Sequence, residues 1–390
     1  MIQTIGVIGG GQLGRMFALD AKRMGYDVIV LDPTPNSPTG QVADEQLVAP
    51  YDNMEMIDRL GDMTDVVTYE FENIAIASVQ RLERKGKFVA PSSKVLAITQ
   101  DRLQEKRFLK EAGIGVAPFA AITRVDDITA ASHNVAFPAV VKTVRGGYDG
   151  KGQWRVDGPR GVQKAFAEVR GETLIMERYI PFVKELSVVA TRNARDQVVC
   201  FPVTENVHDQ GILTMSIAPA RINEELTKKA RAATAAVGRK LEIVGTYCVE
   251  YFLTPQGELL ANEIAPRPHN SGHYTIDATP CSQYEQHIRA ICDLPLSPPR
   301  LLSRAVMMNI LGDGKGNHLA GIENLLTEPG LVLHMYGKKH AVARRKMGHF
   351  TLLCAELQTG IEKAKASLAK LHWEDIVPAA AAPEPATVST

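Results

Sequence analysis

The feature that most limits how this chain can fold lies at its start. A short apolar run at 4–8 passes straight into Gly9-Gly-Gly-Gln-Leu-Gly14, and a helical pattern follows to Met24, with Gly25 placed to end it. Glycines spaced Gly9-x-Gly11-x-x-Gly14 let a strand turn tightly into a helix whose first amides face outward. Further apolar runs at 27–31, 65–69 and 87–90, separated by helical stretches, predict a doubly wound parallel sheet over residues 1–99.

The 390 residues are enough for two or three domains at about 150 residues each. Beyond the first unit, Asp101 is placed to cap a helix that runs to about Gly113. Residues 120–180 then read as a small α+β unit, with strands at 138–142, 153–156 and 173–177, a helix at 160–169, and a glycine-rich loop in between. Longer strands follow at 185–192, 198–204, 245–254 and 258–264, the last two a hairpin through Pro255-Gln-Gly257, with a helix at 224–241. Three more strands (305–310, 331–336, 350–353) and a helix (356–370) complete the pattern, and 377–390 reads as a disordered tail. The expected division is 1–99, 100–300 with a lid at about 120–180, 301–376, and the tail.

Lysine plus arginine and aspartate plus glutamate each number 44, so the balanced charge argues against a nucleic-acid partner. The five cysteines are odd in number and form no CxxC pair, so neither a disulfide framework nor a zinc site is expected, and a reducing compartment is. No apolar run reaches the roughly 18 residues of a membrane helix, and the N-terminus carries no signal-peptide pattern. A cytoplasmic protein with no membrane partner is the expectation.

Four patterns carry chemistry. The glycine turn, with Asp32 ending the second strand, fits a nicotinamide dinucleotide, another phosphate ligand, or simply a tight turn. Lys142 stands beside Arg145-Gly-Gly-Tyr-Asp-Gly-Lys-Gly-Gln153, a loop whose amides are free to wrap phosphate, although it is no Walker loop; a mobile hairpin is the plain alternative. Glu250 and Glu263 lie on the two arms of the 245–264 hairpin with apolar flanks, as expected of carboxylates that share magnesium rather than a solvated face. Pro266-Arg-Pro-His-Asn-Ser-Gly-His273 concentrates hydrogen-bonding groups for an anionic ligand.

Taken with Gly9–Arg15, Tyr69-Glu-Phe-Glu-Asn73, Asn262–His273 and Tyr336-Gly-Lys338, these patterns resemble the ATP-grasp superfamily, and within it the ligases that carboxylate an aminoimidazole ribonucleotide in purine synthesis. The resemblance covers about 1–375. It implies an ATP-grasp fold of mixed α/β and α+β class, with a Rossmann-like N-terminal domain, a small lid domain and a C-terminal domain. It also implies ATP, Mg2+ and bicarbonate as cofactor and co-substrate, and a homodimer. By the same resemblance Arg102 and Lys142 hold phosphates, and Gly147, Tyr148, Asp149, Gly150, Lys151, Gly152 and Gln153 close over them. Glu177, Arg178, Tyr179 and Ile180 take the adenine edge, largely through backbone groups. Glu185 meets the ribose, His208 lines the nucleotide site, and Glu250 and Glu263, with Asn262 alongside, carry magnesium. Many members have an asparagine two residues after the second glutamate, where this chain has Ala265.

The ribonucleotide would touch Gln12, Glu70, Tyr148, Arg267, Asn270, Ser271, His273, Lys338 and Arg345. Asp149 would be the base that takes the amine proton, and Arg267 would hold bicarbonate. Formate-dependent glycinamide ribonucleotide transformylase, a nicotinamide-dependent oxidoreductase and a non-catalytic nucleotide-binding module remain as other readings.

Overall fold

The computed structural model describes residues 2–147 and 152–375. Its first unit is a five-stranded parallel sheet in the order Glu45–Leu47, Asp27–Leu31, Thr4–Ile8, Val66–Tyr69, Phe88–Val89. The helix Gln12–Arg23 buries Leu13, Met16, Phe17 and Ala21, and Gly25 follows its C-cap at φ +87°. A left-handed residue is what a helix end needs there, and glycine adopts it without a Cβ penalty.

The small unit is a four-stranded antiparallel sheet in the order Phe119–Ile122, Leu174–Arg178, Ala139–Thr143, Gln153–Val156. The helix Asp127–Val135, which sequence reading left out, packs on its core with Pro159–Glu168.

The largest sheet is antiparallel and nine-stranded. Its path runs Leu259–Ala265, Gly245–Leu253, Lys184–Arg192, Thr204–Asp209, Ile212–Ala218, Arg304–Leu311, Lys346–Cys354, Leu331–Met335, and Val198–Cys200 pairs beside Lys184–Arg192. Side chains alternate between the two faces of a strand. On one face Leu186, Val188, Tyr247, Val249 and Tyr251 lie in the core under the helix Glu224–Lys240, while Val306, Ile310, Phe350 and Leu352 share a core with Ile361 and Ala364 of Leu357–Leu368. The intervening residues, Ser187, Glu250, Asn309 and His349 among them, belong to the opposite face, which carries the site.

The run read as one strand over 198–204 is interrupted, because Pro202 has no N–H to give a ladder. A hairpin, Thr204–Asp209 with Ile212–Ala218, follows instead. The helix Gln283–Ile291 also escaped the reading. It is buried almost throughout, with Tyr284, Ile288 and Ile291 in the core of the parallel sheet.

The glycine turn is occupied from within. Gly10 N–H donates to Asp32 at 2.7 Å, and the amides of Gly11 and Gly14 both donate to Glu70, the latter at 2.8 Å. A methyl group on Gly11 would collide with the Glu70 carboxylate. Gly11→Ala is therefore expected to lower folding stability by roughly 1–3 kcal/mol, the usual range for overpacking. An unchanged denaturation midpoint would mean that this carboxylate is not seated on the turn.

Candidate active site

Where the small unit meets the large sheet, three charged groups meet in the core. Lys142 lies 3.2 Å from Glu177, and Lys106, only 2% exposed, lies 3.7 Å from the same oxygen. Lys106 also donates to the Asn262 carbonyl at 2.6 Å, tying the helix Arg102–Glu111 to the strand that carries Glu263. Burial alone would raise the Glu177 pKa, but Lys106 and Lys142 outweigh it and hold the carboxyl below its usual range. Burial pushes the Lys106 ammonium down, and it pushes the adjacent Glu105 up to about 8. The second oxygen of Glu177 is buried without a hydrogen-bond partner among the described residues.

Arg102 donates to the carbonyls of Thr143, Gly146 and Gly147 at 3.2, 2.6 and 3.2 Å, so its guanidinium braces the foot of the glycine loop. Gly147 and Gly152 both have positive φ, and Gln153 pairs with Lys142 across the hairpin. Tyr148, Asp149, Gly150 and Lys151 lie outside the described residues. The amides of Arg178 and Tyr179 are taken by the carbonyls of Pro118 and Pro138, which leaves less of this backbone for an adenine edge than the sequence implied. The Arg178 side chain turns outward to the Val135 carbonyl, Arg155 stacks on the Tyr179 ring at 4.3 Å, and Ile180 is half-buried. Glu185 accepts from His208 at 2.8 Å; burial opposes charge on this imidazole, but Glu185 raises its pKa.

Glu250 and Glu263 are directly opposed in the register of their hairpin, beside a bulge. Their environments differ. Burial would raise the Glu250 pKa, but His269 at 3.0 Å overrides it and holds the carboxyl at about 2. Glu263 reaches solvent and still has a raised pKa, from the surrounding protein first and from Glu250 second. Ala265 packs against Cys248, Val189 and Phe201 and offers no ligand atom.

Arg267 bridges the two ends. It grips Glu72 through two guanidinium nitrogens, one bond being 3.1 Å, and it also feels Glu263 and Glu70 electrostatically. Lys338 donates to Gln12 at 2.6 Å and to the Lys346 carbonyl at 2.6 Å, and Arg345 is exposed nearby in sequence. Both oxygens of Glu70 are committed to the glycine turn, and burial raises its pKa despite those two bonds. Asn270 forms a reciprocal amide pair with Asn309 at 2.6 and 3.1 Å. Ser271 takes the Ser187 hydroxyl at 2.7 Å, and His273 meets Tyr284 at 3.1 Å. Ser271 and His273 are fully buried, so in this conformation both shape the segment from beneath.

Sequence reasoning missed Lys106, Glu105, Glu72, His269 and Asn309. Lys106 had a signal: it falls midway between Leu103 and Leu109, in the buried stripe of its helix. The nicotinamide reading of the glycine turn meets a physical obstacle. Asp32 and Glu70 already occupy the amides that a pyrophosphate would need.

A parallel-sheet unit, a small antiparallel unit and a large antiparallel sheet, with buried lysines and paired carboxylates between them, define an ATP-grasp enzyme. Residues 107–284 match the ATP-grasp domain, 2–100 the ribonucleotide synthetase preATP-grasp domain, and 305–363 the phosphoribosylaminoimidazole carboxylase C-terminal domain. The chain is 43% identical over 354 residues to the N5-carboxyaminoimidazole ribonucleotide synthase of Bacillus subtilis, covering 90% of this chain and 91% of that protein. The crystal structure of the corresponding synthetase from Thermotoga maritima matches with a TM-score of 0.87 at 43% identity, over 96% of this chain and all of that one. The Aspergillus clavatus synthase, crystallised with ADP and 5-aminoimidazole ribonucleotide, matches with a TM-score of 0.87 at 27% identity, over 95% and 98%. The chain belongs to the N5-carboxyaminoimidazole ribonucleotide synthase family of ATP-grasp ligases.

The buried lysine gives a test of how the nucleotide end is held. Lys106→Met removes the donor to the Asn262 carbonyl, and an orphaned buried acceptor costs about 1–3 kcal/mol. Lys142→Ala leaves Glu177 its second lysine and is expected to destabilise less. Denaturant titration of both variants checks the order, and the reverse order would show that Lys106 is not the brace.

Proposed function

We propose that the chain carboxylates the exocyclic amine of 5-aminoimidazole ribonucleotide, consuming ATP and bicarbonate and giving ADP, phosphate and N5-carboxyaminoimidazole ribonucleotide. The observation that carries this reading is the position of Arg267, between the Glu250–Glu263 pair and the Glu70–Glu72 segment of the first unit. An anion-holding group is thus set where a nucleotide end and a ribonucleotide end meet. The relatives' shared name and the Aspergillus complex support the choice of substrate over glycinamide ribonucleotide and formate.

Bicarbonate is a poor electrophile. One of its oxygens attacks the γ-phosphorus, the bond to the β-phosphate oxygen breaks, and ADP leaves carboxyphosphate behind. The substrate amine then attacks the carbonyl carbon, directly or after release of carbon dioxide; phosphate departs and the amine proton passes to a base. Positioning and charge neutralisation dominate phosphoryl transfer. Lys142 would supply positive charge at the phosphates, and Arg267 would hold bicarbonate and the charge that develops on it. Arg102 positions the glycine loop from below. Asp149, on that loop, is our choice for the base. The buried free oxygen of Glu177 is an acceptor suited to a donor on the adenine edge.

The carboxylate pair fits magnesium, a hard cation that prefers anionic oxygen; burial first and the facing Glu250 second raise the Glu263 pKa, and a bound cation would oppose both. When bound, it would neutralise charge on the transferring phosphoryl group. Glu250 and Glu263 would be its protein ligands, with Asn262 beside them.

We also propose the division 1–99, 100–300 with a lid at about 120–180, and 301–376, together with a cytoplasmic location and a homodimer. No helix among the described residues is long and apolar enough to cross a membrane.

ADP release should require aminoimidazole ribonucleotide and bicarbonate together. Equal turnover with glycinamide ribonucleotide and formate would reject the assignment.

Glu263→Gln should cost more than tenfold in turnover, over about 1.4 kcal/mol, with the loss dependent on magnesium. The same change should stabilise the metal-free protein. A carboxyl whose folded pKa is raised binds more protons folded than unfolded, so its contribution declines as pH rises through the carboxyl range. The advantage of the glutamine variant in melting temperature should therefore grow from acid to neutral pH. Glu250→Gln, by contrast, strips His269 of its partner and should destabilise. Wild-type turnover in both variants at every magnesium concentration would remove the metal assignment.

A further inference from the structure

We propose a second metal site, formed by Asp277, His334 and His349 and suited to a borderline divalent transition ion such as zinc. His334 and His349 are register partners on the neighbouring strands Leu331–Met335 and Lys346–Cys354, and their rings stack at 4.6 Å and 16°. Asp277, on the short helix Thr275–Ala278, places its two carboxylate oxygens 3.0 and 3.1 Å from His334 Nε2. One ligand atom from each of the three residues lies within 4.8 Å of the others.

The independent sign of a ligand is His349 itself. Its ring is fully buried, its Nδ1 meets the Tyr336 hydroxyl at 2.8 Å, and its Nε2 has no partner among the described residues. A buried nitrogen in that state costs free energy unless something occupies it. The Tyr336 bond fixes the ring through the opposite nitrogen, which is how metal-binding imidazoles are usually oriented. Two imidazole nitrogens and one carboxylate oxygen suit zinc or cobalt and not magnesium, which prefers oxygen throughout. Stacked rings must turn for their lone pairs to converge, and His334, with its side chain 23% exposed, has room to do so. The absence of cysteine pairs conceals such a site from a cysteine count.

The position gives the ion a role. Residues 336–345, between the two strands, carry Tyr336, Lys338 and Arg345, and Lys338 reaches Gln12 of the first unit. An ion at His334 and His349 would clamp the foot of this loop to the Thr275–Ala278 helix. Four strands of the sheet separate it from the strand of Glu250.

Cobalt(II) reports the site directly through its visible absorption. Metal-stripped full-length protein without a histidine tag would be titrated with cobalt in excess magnesium. One equivalent should give the intense visible bands of a low-coordinate nitrogen–oxygen site, and zinc should abolish them. His334→Gln should weaken binding by at least about tenfold, and Glu263→Gln, expected to fold at least as stably, should leave cobalt binding unchanged. His349→Gln risks misfolding in the core, so the partly exposed His334 is the deciding position. No visible bands, bands unaltered in His334→Gln, or bands lost in Glu263→Gln would each overturn the proposal.

Discussion

The two-face alternation of the central sheet is the constraint on which the rest of the molecule depends. One face is apolar and lies under two helices. The other carries polar side chains that must find partners, because an unpaired polar group away from water costs far more than a pair gains. They find them in the segment 269–273. Ser187 bonds Ser271, Asn206 bonds Ser187 at 2.9 Å, Ser216 bonds Asn206 at 2.8 Å, and Asn309 pairs with Asn270. This network holds the segment against the sheet and so fixes His269 at its start and Arg267 two residues before it. Each then meets an acid, Glu72 and Glu250 respectively.

A second set of buried charges joins the small unit to this sheet. Lys106 and Lys142 converge on Glu177 from two different units, and Lys106 also holds the backbone beside Glu263. A buried ion pair gives uncertain net stability, but breaking one by removing a partner is costly. Its use here is geometric. The strand of Glu177, the strand of Lys142 and the strand of Glu263 cannot shift independently without leaving a charge uncompensated. The end of the site proposed for the nucleotide is thereby held in place by the protein's own charges.

Much of this was legible in the residues. The strands at 4–8, 27–31 and 153–156 coincide with apolar or alternating runs bounded by glycine or charge, and Asp101 accepts from Gln104 as a capping residue should. The opposition of Glu250 and Glu263 followed from a hairpin turn at Pro255-Gln-Gly257. Three kinds of information were not local. The helix Gln283–Ile291 shows only a thin apolar stripe, Tyr284, Ile288 and Ile291, because Gln283, Gln286 and His287 on its other faces satisfy buried backbone groups, so its near-complete burial has no local mark. Glu105 looks like an ordinary solvated acid and only packing makes it a core residue, while Lys106, though in the stripe of Leu103 and Leu109, has its partners Glu177 and Asn262 on distant segments. The pairings Arg267–Glu72 and His269–Glu250 join positions far apart in sequence, and no spacing rule reaches that far.

The glycine turn shows why a motif has to be judged by what its amides face. A helix N-terminus offers unpaired N–H groups and partial positive charge, which attract an anion. In a cofactor-binding unit that anion comes from outside. Here the chain provides it, with Asp32 on Gly10 and Glu70 on Gly11 and Gly14. The consequence reaches the other end of the motif Tyr69-Glu-Phe-Glu-Asn73. With Glu70 anchored to the turn, the backbone beyond it is fixed, and Glu72 two residues on is presented to Arg267. The same glycines that elsewhere admit a dinucleotide thus serve to aim the arginine at the centre of this cleft.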